Sequence, residues 1–249
     1  MRIIPRLDVK GQNLIKGIQL EGLRVLGDPA AFAVNYYHGG ADEIILMDSV
    51  ASLYGRNNLF DLIEKITQDI FIPITLGGGL RSRADVNRAL RSGADKFAIN
   101  SAAIEDINII REIAEAVGVQ SVVLSVEAKK VGIASWEAYF NNGREKSGIE
   151  VREWIDRCVD MGAGEILLTS VDREGTRSGF DMDLLHHVGK KILVPLIVSG
   201  GIGSLNDVKE IALTECASAI AIADAFHYQR HSIREVKATV QKLGFDIRL

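Results

Sequence analysis

Eight short apolar runs, each followed by a longer amphipathic stretch, constrain this chain more than any other feature of its sequence. The runs are Ile3–Leu7, Glu43–Met47, Ile72–Leu76, Lys96–Ile99, Ser121–Val126, Glu165–Leu168, Pro195–Val198 and Ala219–Ala223. They are rich in Ile, Val and Leu and nearly continuous in hydrophobicity, as strands buried on both faces must be. Between them, stretches such as Asn58–Gln68, Ile107–Val117 and Ile149–Met161 repeat apolar residues at helical spacing. Parallel strands need a crossover between them, so eight such units predict a closed (β/α)8 barrel of the α/β class. The 249 residues are a usual length for one such barrel, predicted to form a single domain over residues 1–249.

The two halves of the chain echo each other at a spacing of about 120 residues. Gly40-Ala41-Asp42-Glu43-Ile44-Ile45-Leu46 returns as Gly162-Ala163-Gly164-Glu165-Ile166-Leu167-Leu168. Pro73-Ile74-Thr75-Leu76-Gly77-Gly78-Gly79 returns as Pro195-Leu196-Ile197-Val198-Ser199-Gly200-Gly201, and Asp85-Val86 as Asp207-Val208. No linker separates the repeats, which predicts a duplicated half-barrel rather than two domains. One irregularity follows the fifth strand: Trp136–Phe140 and the turn residues Asn141-Asn142-Gly143 predict an inserted hairpin at the entrance to the site.

In this fold the site lies at the carboxyl ends of the strands. Reading each strand to its end gives Asp8, Asp48, Gly77–Gly79, Asn100-Ser101, Glu127, Thr169 to Glu174, Ser199–Gly201 and Ala223-Asp224. Loops without β-carbons let backbone N–H groups approach a phosphate closely. Gly78, Gly79, Asn100 and Ser101 therefore predict one phosphate cradle. Gly200 and Gly201, with Gly175, Ala223 and Asp224, predict a related second one. Asp224 complicates the second, because two unit charges about 4 Å apart at an effective dielectric of 20 repel by roughly 4 kcal/mol. A phosphate there requires Asp224 to turn away or be neutralised. Asp8 and Glu127 end opposite strands and predict a general acid–base pair across the mouth. Lys16, in the first loop, can fold over the mouth as a cation. The five histidines form no ligand cluster, so neither a metal nor another cofactor is expected.

A net charge of -4 gives no reason to expect nucleic acid. No segment has the roughly 18–20 uncharged apolar residues of a membrane span, and the N-terminus lacks signal-peptide architecture. Cys158 and Cys216 form no metal or redox motif and predict half-buried thiols in a reducing cytoplasm.

The segments RIIPRLDVK, ADEIILMDSVAS, FIPITLGGGLRS, GADKFAINSAA, GAGEILLTSVDREGTRSGFD and VSGGIGS resemble, in order, those of the imidazole glycerol phosphate synthase cyclase (HisF) family. The resemblance covers essentially the whole chain. It implies ammonia received from a glutaminase subunit at the N-terminal face of the barrel and passed through the core. It also implies an ammonia gate of Arg2, Glu43, Lys96 and Glu165, all with the family's charge. Asp8, Lys16, Asp48, the glycine loop and Asn100-Ser101 match the family's functional positions. The top of the barrel departs from it. Glu127 and Glu174 stand where the family has aspartates, Asp224 where it has a phosphate-binding serine, and Arg6 where a cysteine is usual. An added methylene moves a carboxylate by about 1 Å, enough to cost around 100-fold in rate. These changes lead the sequence reading toward a diverged, still ammonia-fed paralogue acting on a phosphorylated or nucleotide sugar, as in acetamidino-sugar synthesis for surface polysaccharides. An authentic cyclase of histidine synthesis and a non-catalytic, ammonia-conducting scaffold that activates the glutaminase are the alternatives.

Overall fold

The computed structural model describes residues 1–49, 59–189 and 192–248. Eight parallel strands close on themselves: β1 (Arg2–Lys10), β4 (Ile44–Asp48), β5 (Ile74–Gly77), β6 (Lys96–Ile99), β7 (Val122–Gly132), β10 (Glu165–Ser170), β11 (Leu196–Ser199) and β12 (Ala219–Ile222). Closure is made where β7 meets β10, with Val126 beside Leu168, and where β12 meets β1, with Ile220 beside Ile3. The protein is thus a (β/α)8 barrel. Every expected strand is present, with ends displaced by a few residues. The helices expected from 107 and 149 are α5 (Asn108–Val117) and α6 (Val151–Asp160). The one expected from Asn58 is α2 (Leu59–Ile66), with Asn58 itself outside the described residues.

The half-chain echo has a local cause at Asp85 and Asp207. Ser82 caps α3 (Arg83–Arg91) by accepting from the Asp85 backbone N–H, and Ser204 caps α8 (Leu205–Leu213) by accepting from that of Asp207. The Asp207 side chain completes a reciprocal capping box, a class of contact that contributes about 0.5–2 kcal/mol.

Two hairpins decorate the mouth. The first strand turns back into β2 (Asn13–Ile18) and β3 (Glu21–Gly27), an element the sequence reading treated only as a loop. The second is the expected insertion. β7 extends to Gly132 and pairs antiparallel with β8 (Ser135–Phe140), which pairs with β9 (Glu145–Glu150). Trp136 on β8 is buried and donates its indole N–H to Asp181 at 2.9 Å, tying the insertion to the barrel wall.

Alternation along the strands sorts the side chains between the barrel axis and the helices. Outward residues such as Ile3, Leu7, Ile44 and Leu46 pack beneath the helices in the larger core. A second, inner cluster contains Ile4, Ile45, Val123, Leu167, Ile197 and Ala219, all fully buried. These six side chains are fully buried and apolar, so the waist of the axis is a hydrophobic layer. Cys158 is buried completely, deeper than the half-buried thiol expected, and burial pushes its pKa up to about 12.

Candidate active site at the carboxyl mouth

Three layers stack along the barrel interior. At the amino ends of the strands, Arg2, Glu43, Lys96 and Glu165 join in a closed ring of ion pairs. Arg2 donates to Glu43 at 2.8 Å and to Glu165, and Lys96 donates to both carboxylates at 2.8 Å. Thr75 adds a 2.6 Å hydrogen bond to Glu43. The two carboxylates are buried while the cations stay partly exposed, so the ring compensates its own charge at the lower rim. Above it lies the apolar inner cluster, and above that the polar mouth.

Arg6 is the centre of the mouth, although the sequence reading noted it only as a replaced cysteine. The residue is 3 % exposed. It donates through Nε to Asp8 at 3.0 Å and through Nη1 to Thr169 at 2.9 Å and Ser199 at 3.3 Å. The alternation Arg2, Ile4, Arg6, Asp8 on β1 is the signal that places it on the axis. Thr169 and Ser199, the last inward residues of their strands, follow by the same rule.

Asp8 is flanked by Arg6 and, at 3.8 Å, by Lys16. Burial disfavours its charge, but the two cations outweigh that and hold the carboxyl below its ordinary range. Lys16 sits on β2 and is 4 % exposed, so it is folded into the mouth as part of a strand. It pairs with Glu174, and the Gln19 amide donates to the Glu174 carbonyl at 2.7 Å. The first hairpin and the sixth loop are therefore locked together, with Gly175 packed on Gly17. Burial lowers the basicity of Lys16, yet Glu174 and Asp8 outweigh it and raise its pKa.

Glu127 behaves differently. Burial pushes its pKa up to about 7 against the opposing effect of the Gly143 amide, which donates to it at 2.7 Å, and of Arg6. Gly143 belongs to the inserted hairpin, which also reaches the first predicted cradle. Asn100 donates to the Tyr139 carbonyl at 3.2 Å, and the Asn141 amide to the Ser101 hydroxyl at 3.1 Å. A cavity of about 320 Å³ opens here, lined by Arg6, Asp48, Gly78, Gly79, Ser101 and Glu127 among others. Gly78, at φ +89°, lies against the Asp48 backbone, where a β-carbon would collide.

The second predicted cradle is closed. Gly200, Gly201, Gly175, Ala223 and Asp224 do come together, but the space between them is about 10 Å³, room for no more than a water. Asp224 is neutralised, the condition its repulsion demanded: Arg177 donates to it from Nε at 2.7 Å and from Nη2 at 3.3 Å. Arg177 is a residue the sequence reading missed. His227 packs on the first helix beneath the mouth. It meets the Tyr36 hydroxyl at 2.6 Å, and burial with Lys16 nearby lowers its pKa to about 4. Among the described residues no cluster of metal-ligating side chains forms, and no helix is long and apolar enough to cross a membrane.

A closed parallel barrel with paired carboxylates and glycine loops at its carboxyl mouth, and a compensated charge ring at its base, defines a (β/α)8 protein of the ligand-transforming kind. The chain belongs to the histidine biosynthesis protein family, whose model matches residues 2–232, and within it to the HisF group. It is 53 % identical over 207 residues to the imidazole glycerol phosphate synthase subunit HisF of Legionella pneumophila, covering 83 % of this chain and 98 % of that protein. It is 41 % identical over 248 residues to the subunits of that name from Streptococcus sanguinis (strain SK36) and Dehalococcoides mccartyi (strain CBDB1), covering 100 % of this chain and 98 % of each.

Proposed function

We propose that this chain is the cyclase subunit of an imidazole glycerol phosphate synthase, working in the cytoplasm as a single barrel domain over residues 1–249. The observation that carries the reading is the coaxial pairing of the closed Arg2–Glu43–Lys96–Glu165 ring with the acidic mouth. Ammonia arrives at the ring from a glutaminase of the HisH type, crosses the apolar waist as a neutral molecule, and meets a phosphorylated acceptor above. The waist is apolar, so it favours passage of the neutral molecule over ammonium. Exposed Phe71, Val119, Leu193 and Leu213 precede strands at the same lower face and support docking of the glutaminase there.

At the mouth, Asp8 stays ionised beside Arg6 and Lys16 and accepts a proton. Glu127, with its pKa near neutrality, donates one. Asp48, Lys16 and Glu174 complete the catalytic set. Gly78, Gly79, Asn100 and Ser101 hold one phosphoryl group, and Gly175, Gly200, Gly201, Ala223 and Asp224 border the place of the other. The relatives carry the name of the histidine enzyme, and nothing in them singles out the surface-polysaccharide paralogue or the scaffold. Turnover of the bis-phosphorylated imidazole-precursor nucleotide with ammonium salt, without glutaminase, tests the reading. Formation of imidazole glycerol phosphate supports it. A folded chain that binds phosphate but yields no product contradicts it.

A further inference from the structure

The far end of the mouth holds more positive charge than its own carboxylate requires. Asp224 is 7 % exposed, and two guanidinium groups converge on it. Arg177 grips it with two donors, and Arg230 Nε lies 3.8 Å from the same Oδ1. Both guanidinium groups also lie over the Tyr228 ring, at 5.8 Å and 5.3 Å from its centroid. Arg177 takes the left-handed backbone at φ +61°, a conformation that non-glycine residues rarely adopt. Gly203 packs directly on the Arg177 backbone and β-carbon, so the sixth loop is pressed against the seventh. The seventh brings Gly200 and Gly201, with their backbone free of β-carbons, to the same small space.

Two cations around Asp224 leave a net positive charge beside a recess lined by Gly175, Gly200 and Gly201 and by Glu174, whose own charge Lys16 compensates. A guanidinium fork accepts a carboxylate and a phosphate with the same paired geometry. We propose that Asp224 is an internal stand-in for a phosphoryl group: Arg177 and Arg230 make this end an anion site, and the Asp224 carboxylate occupies it. A second phosphoryl group on the acceptor therefore binds only by displacing Asp224 from Arg177. This rests on the mouth being the acceptor site, and it adds Arg177 as a binding residue and Asp224 as its competitor.

The test counts phosphate sites on the full chain by titration with inorganic phosphate, read by calorimetry and by ³¹P resonance. The wild-type chain is expected to bind one phosphate, at the Gly78–Ser101 end, and to lose it on Gly78→Ala. Asp224→Ser is expected to bind two, with Asp224→Asn as a volume-conserving check that folding is kept. Asp224→Ser combined with Arg177→Gln is expected to return to one, because the guanidinium and not the vacated space is the ligand. Two sites in the wild-type chain overturn the inference, as does a second site that survives Arg177→Gln. A single site in Asp224→Ser that Gly78→Ala abolishes overturns it and leaves the reading of the mouth standing. No site in any variant overturns both.

Discussion

Arg6 on the first strand donates to the hydroxyl of Thr169 on the sixth strand at 2.9 Å, inside a closed barrel and immediately above its apolar waist. The same guanidinium holds Asp8, so the floor of the mouth is one hydrogen-bonded unit rather than a set of independent side chains. Breaking a buried ion pair from one side costs about 3–5 kcal/mol, because the remaining charge is left without compensation. Arg6→Met should therefore lower the melting temperature by on the order of 10 °C. Asp8→Asn in the same chain should recover part of that loss, since it removes a buried carboxylate left with Lys16 alone at 3.8 Å. Calorimetric unfolding of the two variants checks this, and a double variant no more stable than Arg6→Met argues against the pairing.

Glu127 gives the fold a pH dependence of known sign. Its pKa is about 7 when folded and 4.5 in its ordinary state, so the folded chain binds the extra proton. A raised carboxyl pKa contributes stability below pH 4.5 that fades as pH rises through about 7. Glu127→Gln removes that titration and should flatten the decline between those limits. Denaturant melts of both chains at pH 4.5, 6 and 8 measure the difference. A wild-type curve parallel to that of Glu127→Gln would place the carboxyl in an ordinary environment.

Gly78 tests the first phosphate cradle. An alanine there combines the strain of φ +89° with a collision against the Asp48 backbone. Roughly 1–3 kcal/mol of stability should be lost, along with at least about tenfold in phosphate affinity, since the loop must withdraw from its place. A variant that binds inorganic phosphate as well as the wild-type chain shows that the loop is not the ligand.

What the sequence made legible follows from period and repetition. Strands buried on both faces announce themselves by unbroken Ile, Val and Leu, and duplication fixed which loops were counterparts. The strand-end rule pointed to Asp8, Glu127, Asn100 and Asp224, which the folded chain gathers at the carboxyl mouth. It could not find Arg177, because a loop residue in left-handed backbone carries no periodic signature. Lys16 carries a weak signal for the same reason: apolar alternation over residues 13–27 is faint, with β3 largely exposed or half-exposed, and predicts only a loop. Whether Asp224 faced outward or was paired depended on a partner 47 residues away, which only the folded loops bring near.

The passage of ammonia along the axis is tested most directly by isotope. A glutaminase partner is supplied with amide-¹⁵N glutamine in a bath of excess unlabelled ammonium, at a pH where free ammonia is present, and the ¹⁵N content of the product is read by mass spectrometry. The wild-type chain should keep the label nearly undiluted, and Lys96→Ala, which opens the ring between Glu43 and Glu165, should let it fall toward the composition of the bath. Wild-type product carrying the isotope ratio of the bath would mean that ammonia reaches the mouth from solvent, and that the ring guards no route.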